Sequence, residues 1–220
     1  MGYNIAIDGP AGAGKSTIAK LVAKKLGFIY VDTGAMYRTL ALYFTRKGLT
    51  GEEKDWQEVI KACESADVTI DYQDGQQLIF LNGENVTTLI REENIGNLAS
   101  QTSVIPQVRE HLLNLQRNLA KNNDVVMDGR DIGTQILPHA DLKIFLVASV
   151  EVRAKRRYLE LTEKGIPCDL EEIKADISER DYRDSNRKVA PLRQAEDAIL
   201  VDSSFMTIDE VVEKILSFVT

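Results

Sequence analysis

The chain is poor in residues that cross-link proteins or bind metals. Its 220 residues include two cysteines, Cys63 and Cys168, which lie far apart and lack the spacing of metal ligands. We therefore expect reduced thiols in a reducing compartment, the cytoplasm. The two histidines, His111 and His139, have no metal-like partner in the sequence, and we interpret them as ordinary helix and loop residues.

The chain also lacks a basic excess and long apolar runs. Its 27 lysines and arginines are outnumbered by 34 aspartates and glutamates, which gives a net charge of −7. This balance argues against a long nucleic acid as partner, because no basic excess exists to release counterions. A small anionic substrate stays possible, since local arginines set the potential inside a cleft. No apolar run is long enough for a membrane span or a signal peptide, and no extra apolar helix face is evident, so we expect a monomer without membrane attachment.

One glycine-rich segment matches the pattern G-x-x-x-x-G-K-[ST] at every fixed position, over residues 9–16. A short apolar strand precedes it, and apolar residues recur at helical spacing after it. This context is typical of a phosphate-binding loop, and it counts against an accidental match in a flexible loop. We expect Lys15 to reach the terminal phosphates and Ser16 to ligate Mg²⁺. The residues expected to bind the nucleoside triphosphate are Gly9, Pro10, Ala11, Gly12, Ala13, Gly14, Lys15, Ser16 and Thr17.

Five apolar segments alternate with helical patterns and predict buried parallel strands: Asn4–Asp8, Phe28–Asp32, Asp124–Asp128, Leu142–Ala148 and Ala198–Asp202. This alternation predicts an α/β fold, a three-layer P-loop NTPase architecture with a five-stranded parallel sheet. Ligands of such sheets bind outside the carboxyl ends of the strands, where Asp8, Asp32 and Asp128 stand. The helical patterns cover Ala35–Lys47, Asp55–Ser65, Pro106–Asn122, Val150–Lys164, Leu170–Arg187 and Ile208–Val219.

Two segments depart from this alternation within a single domain of residues 1–220. Residues 66–91 alternate polar and apolar side chains around Asp74-Gly75 and Asn82-Gly83, which predicts antiparallel hairpins in a small inserted β-subdomain. Residues 151–187 form two basic helical patterns joined by a glycine-proline turn. We interpret them as a lid whose arginines stabilise phosphate charge and exclude water; the alternative is a solvated charged hairpin.

Charged residues after the strands indicate where chemistry takes place. Asp128 ends an apolar strand, as the second half of a Mg²⁺ site usually does. Arg130 follows it closely and is placed to meet a phosphate, although a surface ion pair with Asp131 is the alternative. Arg38 lies near the start of a helix that Asp32 or Thr33 caps, and it is a second phosphate candidate.

Arg180, Asp184 and Arg187 are spaced to share one helix face. They fit a structural ladder of ion pairs as well as they fit a site that holds a phosphate and a ribose hydroxyl. A regulatory GTPase should contain N-K-x-D, and adenylate-kinase-like chains usually contain D-G-F-P-R; both strings are missing. The open alternatives are therefore another small-molecule kinase, or a nucleotide-dependent switch that binds a protein partner.

The motifs G-P-A-G-A-G-K-S-T, D-T-G-A-M-Y-R, A-S-Q, P-Q-V-R, D-G-R-D-I-G-T and E-R-D-Y-R-D-S-N-R follow one another in this order. Over essentially the whole chain, the sequence resembles the bacterial cytidylate kinases. The resemblance implies transfer of the γ-phosphoryl group of ATP, with Mg²⁺, to CMP or dCMP. It also implies that the β-insert binds the nucleoside monophosphate.

The same resemblance implies roles for individual side chains. Ser100, Arg109 and Asp131 would read the cytosine edge, and Arg38, Arg130 and Arg187 would hold the acceptor phosphate with Tyr37 packing nearby. Arg180 and Asp184 would meet the sugar hydroxyls, while the lid residues Arg153 and Arg157 would close on the triphosphate. Thr33 stands where some family members have serine, and it is included among the substrate-binding residues. Lys15, Arg130, Arg153 and Arg157 would then carry catalysis, and Ser16 and Asp128 would hold the metal.

Overall fold

The computed structural model describes residues 2–219, and a parallel β-sheet of five strands forms its centre. The strands are β1 (Asn4–Asp8), β2 (Ile29–Asp32), β6 (Val125–Gly129), β7 (Leu142–Val147) and β8 (Ile199–Asp202). Their order across the sheet is β2-β6-β1-β7-β8, and every pair is parallel. The α/β prediction is therefore confirmed.

Helices cover both faces of this sheet, which gives three layers. One face carries α1 (Lys15–Leu26) and α8 (Ile208–Leu216), with a core that includes Ile5, Ile7 and Val126. The other face carries α2 (Thr33–Arg46), α3 (Trp56–Glu64) and α5 (Pro106–Asn122), packed against Ala6 and Met127. Side chains of one strand alternate between the two cores because successive residues point to opposite faces of a sheet.

The segment predicted as hairpins forms a separate three-stranded antiparallel sheet. Its strands are β3 (Val68–Gln73), β4 (Gln76–Leu81) and β5 (Glu84–Asn85). Asp74 and Gly75 have φ angles of 51° and 73°, the left-handed conformation that two-residue hairpin turns require. Asn82 and Gly83 repeat it at 50° and 81°.

Two further helices pack against each other near the carboxyl edge of the large sheet: α6 (Val150–Glu163) and α7 (Leu170–Asn186). The sequence patterns did not predict α4 (Glu93–Thr102), which packs on α2, or a π-helical turn at Ile132–Ile136. Within residues 2–219, no helix is both long and apolar enough to cross a membrane.

Candidate active site

The glycine-rich loop connects β1 to α1 and wraps around an open cradle. Gly9 allows the loop to leave the sheet, because a Cβ at this position would lie 2.0 Å from the carbonyl oxygen of Leu146. Gly14 precedes the helix with φ 89°, a left-handed conformation that glycine adopts without strain. Lys15 is 6% exposed, and its ammonium group donates to the carbonyl of Pro10 at 2.6 Å. Burial, followed by the nearby Arg130, lowers the pKa of Lys15 well below its usual value.

Beside this loop, at the end of β6, Asp128 accepts hydrogen bonds from three hydroxyl groups. The Ser16 hydroxyl donates to Asp128 Oδ2 at 2.9 Å, and the Tyr30 hydroxyl donates to Oδ1 at 2.8 Å. The Thr33 hydroxyl donates to the backbone carbonyl of Asp128 at 2.7 Å. Burial, with the nearby Asp32 second, raises the pKa of Asp128 to about 6. Tyr30 packs in the core as the sequence predicts, but sequence reasoning missed the polar role of its hydroxyl.

A second group of charges lies at the other end of the cleft, around Asp131. Arg109 forms an ion pair with Asp131, and Arg187 approaches its other carboxylate oxygen at 3.5 Å. The guanidinium of Arg109 also lies over the ring of Tyr37, 5.5 Å from its centroid. Burial raises the pKa of Tyr37 to about 12, so its hydroxyl is neutral at physiological pH. Asp131 is 3% exposed, which places a buried, acceptor-only carboxylate between two arginines.

Asp184, on α7, accepts hydrogen bonds from two further residues of the cleft. Arg130 donates from Nε to Asp184 at 2.9 Å, and the Ser100 hydroxyl donates to its other oxygen at 3.2 Å. Burial works to raise the pKa of Asp184, but Arg130 and Arg180 outweigh it and hold this pKa below the usual value. The carboxylate is therefore ionised. The ion pair of Arg130 with Asp131, one of two alternatives left open by the sequence, is not the one formed.

The remaining arginines of α7 and its end also face the cleft. Arg180 lines the cavity, and burial lowers its pKa to about 10. Arg187, which follows the last residue of α7, donates to the hydroxyl of Ser103 at 3.2 Å. Asp184 pairs with Arg130 from another part of the chain, so the spacing of Arg180, Asp184 and Arg187 does not produce the simple ladder along the helix that was the other alternative.

The two lid arginines differ in their surroundings. Arg153 is 3% exposed. Its guanidinium donates to the carbonyls of Ala148 and Ala11, both at 2.9 Å, and to Asp181 at 2.6 Å. Arg157 is paired with Glu160 at 3.0 Å and lies 3.5 Å from Glu93 on α4. Arg153 thus fastens α6 to the glycine-rich loop, whereas the side chain of Arg157 is 37% exposed and pairs with acidic side chains.

Arg38 and Asp32 border the same cleft. Asp32 caps α2 by accepting from the backbone N–H of Ala35 at 2.9 Å, which decides between the two predicted caps. It also pairs with Arg91 at 3.2 Å. Burial lowers the pKa of Arg38, whose Nη1 lies 3.4 Å from two backbone carbonyls. Gly96 makes room for this guanidinium, since a Cβ there would lie 2.6 Å from Arg38 Nη1.

One cavity of about 660 Å³ joins these groups. It is lined by every site residue expected from the sequence except Gly9 and Pro10, which stand just outside it at the start of the loop. Sequence reasoning missed a set of further lining residues: Arg91, Ser103, Ser203, Met206, Thr207, Ile208 and Val211. The last five lie between the end of β8 and the first turn of α8, and no motif in the sequence marks them.

The histidines lie outside this chemistry. The ring of His111 is 2.8 Å from the carbonyl of Ala66, a structural contact. In the described part of the chain, no three His, Cys, Asp or Glu side chains are grouped to hold a metal by themselves. Any cation in the cleft would therefore depend on ligand oxygens as well as on the protein.

Comparisons with known proteins point to a single family. Residues 5–220 match the family model described as cytidylate kinase. A curated cytidylate kinase from Caldicellulosiruptor saccharolyticus is 51% identical over 97% of this chain and 93% of its own length. Another from Streptococcus sanguinis is 53% identical over 94% of this chain and 92% of its own.

One solved structure supports the fold alone. An uncharacterized protein from Eubacterium ventriosum aligns over 99% of this chain and 98% of its own, with a TM-score of 0.54 at 14% identity.

Proposed function

The chain belongs to the cytidylate kinase family and transfers the γ-phosphoryl group of ATP to CMP or dCMP; from this premise we propose how its cleft divides the work. ATP occupies the end formed by residues 9–17, and the nucleoside monophosphate occupies the end around Asp131 and Asp184. The observation that supports this division is the single continuous cavity with a phosphate-binding loop at one end and a buried arginine–carboxylate group at the other.

Cytosine recognition is assigned to Asp131, Arg109 and Ser100. The carboxylate of Asp131 can accept from the exocyclic amine of cytosine, and Arg109 can donate to its ring nitrogen and carbonyl oxygen. Arg109 already pairs with Asp131 over the ring of Tyr37, so the pair is held in place before the base enters. Uracil has a carbonyl where cytosine has the amine. A buried carboxylate facing that oxygen would have no donor, which disfavours UMP.

The acceptor phosphate is assigned to Arg38, Arg130 and Arg187, and the sugar hydroxyls to Arg180 and Asp184. Arg130 and Arg180 lie close to the same carboxylate, as the influence of both on the pKa of Asp184 indicates. A phosphate can displace or bridge such guanidinium contacts because charge-assisted, bidentate geometry suits it. Thr33 completes this end of the cleft with its hydrogen bond to the backbone carbonyl of Asp128, and Tyr37 completes it by packing.

Catalysis follows from positioning and charge neutralisation. The attacking oxygen belongs to a phosphate that is already ionised at neutral pH, so a strong general base is unnecessary. Lys15 approaches the β- and γ-phosphates, and Arg130 lies between donor and acceptor. Lid arginines Arg153 and Arg157 neutralise charge on the transferred group and help to exclude water. Water that stayed in the cleft would hydrolyse ATP.

A magnesium site is proposed at Ser16 and Asp128. Both supply hard oxygen donors. One carboxylate and one hydroxyl suit an ion that keeps waters and phosphate oxygens as its other ligands. When bound, the cation neutralises charge on the β- and γ-phosphates. The Tyr30 hydroxyl holds the Asp128 carboxylate in orientation from the opposite side.

The insert and the lid complete the proposed arrangement. Residues 66–91 would serve as the monophosphate-binding insert, and residues 151–187 as the lid, within one kinase domain of residues 1–220. We also propose a monomer located in the cytoplasm. Both cysteines are free, Cys63 buried and Cys168 partly exposed, as expected in a reducing compartment.

Paired variants test the division of the acceptor end. Arg180→Ala should lower kcat/KM for CMP and for UMP by the same factor, about tenfold to hundredfold, because it removes a charged hydrogen bond to the sugar or phosphate. Arg109→Met should instead change the CMP-to-UMP ratio. A changed base preference in Arg180→Ala, or an unchanged one in Arg109→Met, would mean that the sugar and base ends are assigned wrongly.

A further inference from the structure

One buried carboxylate in the cleft region has no role in the chemistry proposed above. Asp8 is the last residue of β1, directly before Gly9 of the phosphate-binding loop, and it is 4% exposed. Its side chain does not line the cavity. Burying a carboxylate is costly unless hydrogen bonds compensate, so its partners indicate what it does.

Both oxygens of Asp8 bind the backbone of the segment that follows Asp131. The N–H of Ile132 donates to Oδ1 at 2.8 Å, and the N–H of Gly133 donates to Oδ2 at 2.7 Å. These two N–H groups open the π-helical turn Ile132–Ile136, whose later N–H groups bond to the carbonyls of Asp131 and Ile132. Asp8 therefore fixes the start of the turn that directly follows Asp131.

Gly133 explains how the carboxylate reaches the turn so closely. A Cβ at this position would lie 3.4 Å from Asp8 Oδ2 and 3.1 Å from the Cδ of Lys143. The space is thus filled on one side by Asp8 and on the other by the stem of Lys143. Lys143 is itself held by the carbonyl of Pro138 at 2.6 Å and by Asp197 at 2.7 Å. Gly133, the second glycine of the D-G-R-D-I-G-T motif, thus leaves room for the side chains of both Asp8 and Lys143.

We propose that Asp8 is a positioning residue for cytosine recognition. It joins the end of β1, from which the ATP-binding loop starts, to the turn that presents Asp131, and so holds the base-reading carboxylate at a fixed place relative to the phosphates. The proposal rests on the assignment of Asp131 to the base. Asp8 acts through Asp131 and does not touch either nucleotide.

A purely structural role and a positioning role lead to different kinetics. If Asp8 only stabilised the sheet edge, its loss would lower stability and leave the properties of the folded enzyme unchanged. If it positions Asp131, the folded enzyme should lose affinity and selectivity for the cytosine base. The Michaelis constant for ATP should change little, because the loop residues that would contact ATP are on the other side of Gly9.

The experiment is a kinetic comparison of Asp8→Asn with Asp124→Asn. The amide keeps the size of the side chain but presents an N–H₂ group to one of the two backbone donors. Asp124 is the matched control, since its exposed carboxylate also accepts from a backbone N–H, that of Tyr3, at the opposite end of the sheet. Initial rates are measured for CMP and UMP at saturating ATP, and the Michaelis constant for ATP is measured at saturating CMP.

For Asp8→Asn we expect the KM for CMP to rise about tenfold to hundredfold, because a displaced Asp131 loses its charged hydrogen bond to the cytosine amine. The CMP-to-UMP selectivity should fall, with the KM for ATP within about twofold of wild type. Asp124→Asn should match wild type in all three. Unchanged selectivity in folded Asp8→Asn, or equal losses toward ATP and CMP, would overturn the proposal.

Two additional variants keep the test decisive. If Asp8→Asn does not fold, Gly133→Ala displaces the same turn from its other side and must show the same loss of selectivity; wild-type selectivity there overturns the proposal. Asp131→Asn, measured in parallel, separates the two levels of the argument. If it leaves base selectivity intact, the assignment of Asp131 fails; if it alone changes selectivity, only the role of Asp8 fails.

Discussion

Replacing Asp131 by asparagine should convert a cytosine-selective site into one that tolerates uracil. The carboxylate is 3% exposed and accepts from Arg109, with Arg187 at 3.5 Å. An asparagine keeps the shape but can present either its carbonyl oxygen to cytosine or its N–H₂ group to the uracil carbonyl. The change therefore removes the repulsion that excludes UMP together with the charge that favours CMP.

The magnitude follows from the kind of bond that is lost. Hydrogen bonds to charged groups contribute about 1.5–3 kcal/mol, and each 1.4 kcal/mol is about a factor of ten. We expect kcat/KM for CMP to fall roughly 10- to 150-fold and the CMP-to-UMP ratio to fall by at least as much. The variant should also be less stable, since removing one partner of a buried ion pair leaves positive charge uncompensated.

Coupled ADP-release rates with each nucleotide, at saturating ATP, measure the selectivity. Urea unfolding of the same samples measures the stability cost, with Asp124→Asn as a control for the loss of a surface carboxylate. A folded Asp131→Asn enzyme that keeps the wild-type CMP-to-UMP ratio would refute the assignment of this carboxylate to the base.

Three further perturbations test other parts of the cleft. Lys15→Ala should lower turnover at least about a thousandfold. The variant should resist urea as well as wild type or better, because the strongly lowered pKa of Lys15 shows that burying its ammonium group is unfavourable. A near-wild-type kcat would contradict the phosphate-binding role. Tyr30→Phe removes a donor that lowers the pKa of Asp128, so the acid limb of the kcat profile should move to higher pH and saturation should need more Mg²⁺; identical pH and Mg²⁺ titrations would exclude this function of the hydroxyl. Burial raises the pKa of Asp8 from 3.8 to about 7, so ionising this carboxyl opposes folding. The free energy of unfolding of wild type should therefore fall by up to about 4 kcal/mol, relative to that of Asp8→Asn, as pH rises from about 4 to 7. Unfolding free energies of the two proteins that stay parallel over this range would show that Asp8 titrates normally.

The central sheet was predictable because its strands are buried on both faces. Such strands appear in the sequence as short, continuous apolar runs, and the five predicted segments agree with the structure to within one residue at each end. The hairpins of residues 66–91 were predictable for a different reason. Asp-Gly and Asn-Gly are among the few dipeptides that adopt the left-handed turn conformation, and both do so here.

Helix α4 and the π-helical turn were not predictable from local patterns. Helix α4 contains Gly96 and has a short, weakly periodic apolar stripe at Ile95 and Ala99. Its glycine is explained only by the guanidinium of Arg38, which comes from a distant part of the chain. The π-helical turn begins with two N–H groups that donate to Asp8, 124 and 125 residues away in sequence. Long-range contacts of this kind leave no periodic signal.

For the site, too, the sequence indicates which residues come together but not which of them pair. Strand ends and motifs brought the expected arginines and carboxylates to one cavity. They did not reveal that Arg130 pairs with Asp184, that Arg109 pairs with Asp131, or that the hydroxyl of Tyr30 binds Asp128. Several arginines compete for few carboxylates, and the choice among them depends on tertiary distances. The apolar residues Met206, Ile208 and Val211 were missed because apolar pocket walls resemble ordinary core residues in a sequence.

The most direct measurement is the rate of ADP release with ATP and Mg²⁺ against CMP, dCMP, UMP, AMP and shikimate in parallel. We expect rapid turnover with CMP and dCMP and little with the other three. Cytosine alone among these acceptors presents an amine to Asp131 together with a ring nitrogen and a carbonyl oxygen to Arg109. Turnover that is faster with another acceptor would contradict the cytosine site while keeping the kinase. Slow ATP hydrolysis that none of the five acceptors stimulates would contradict phosphoryl transfer to a nucleoside monophosphate altogether.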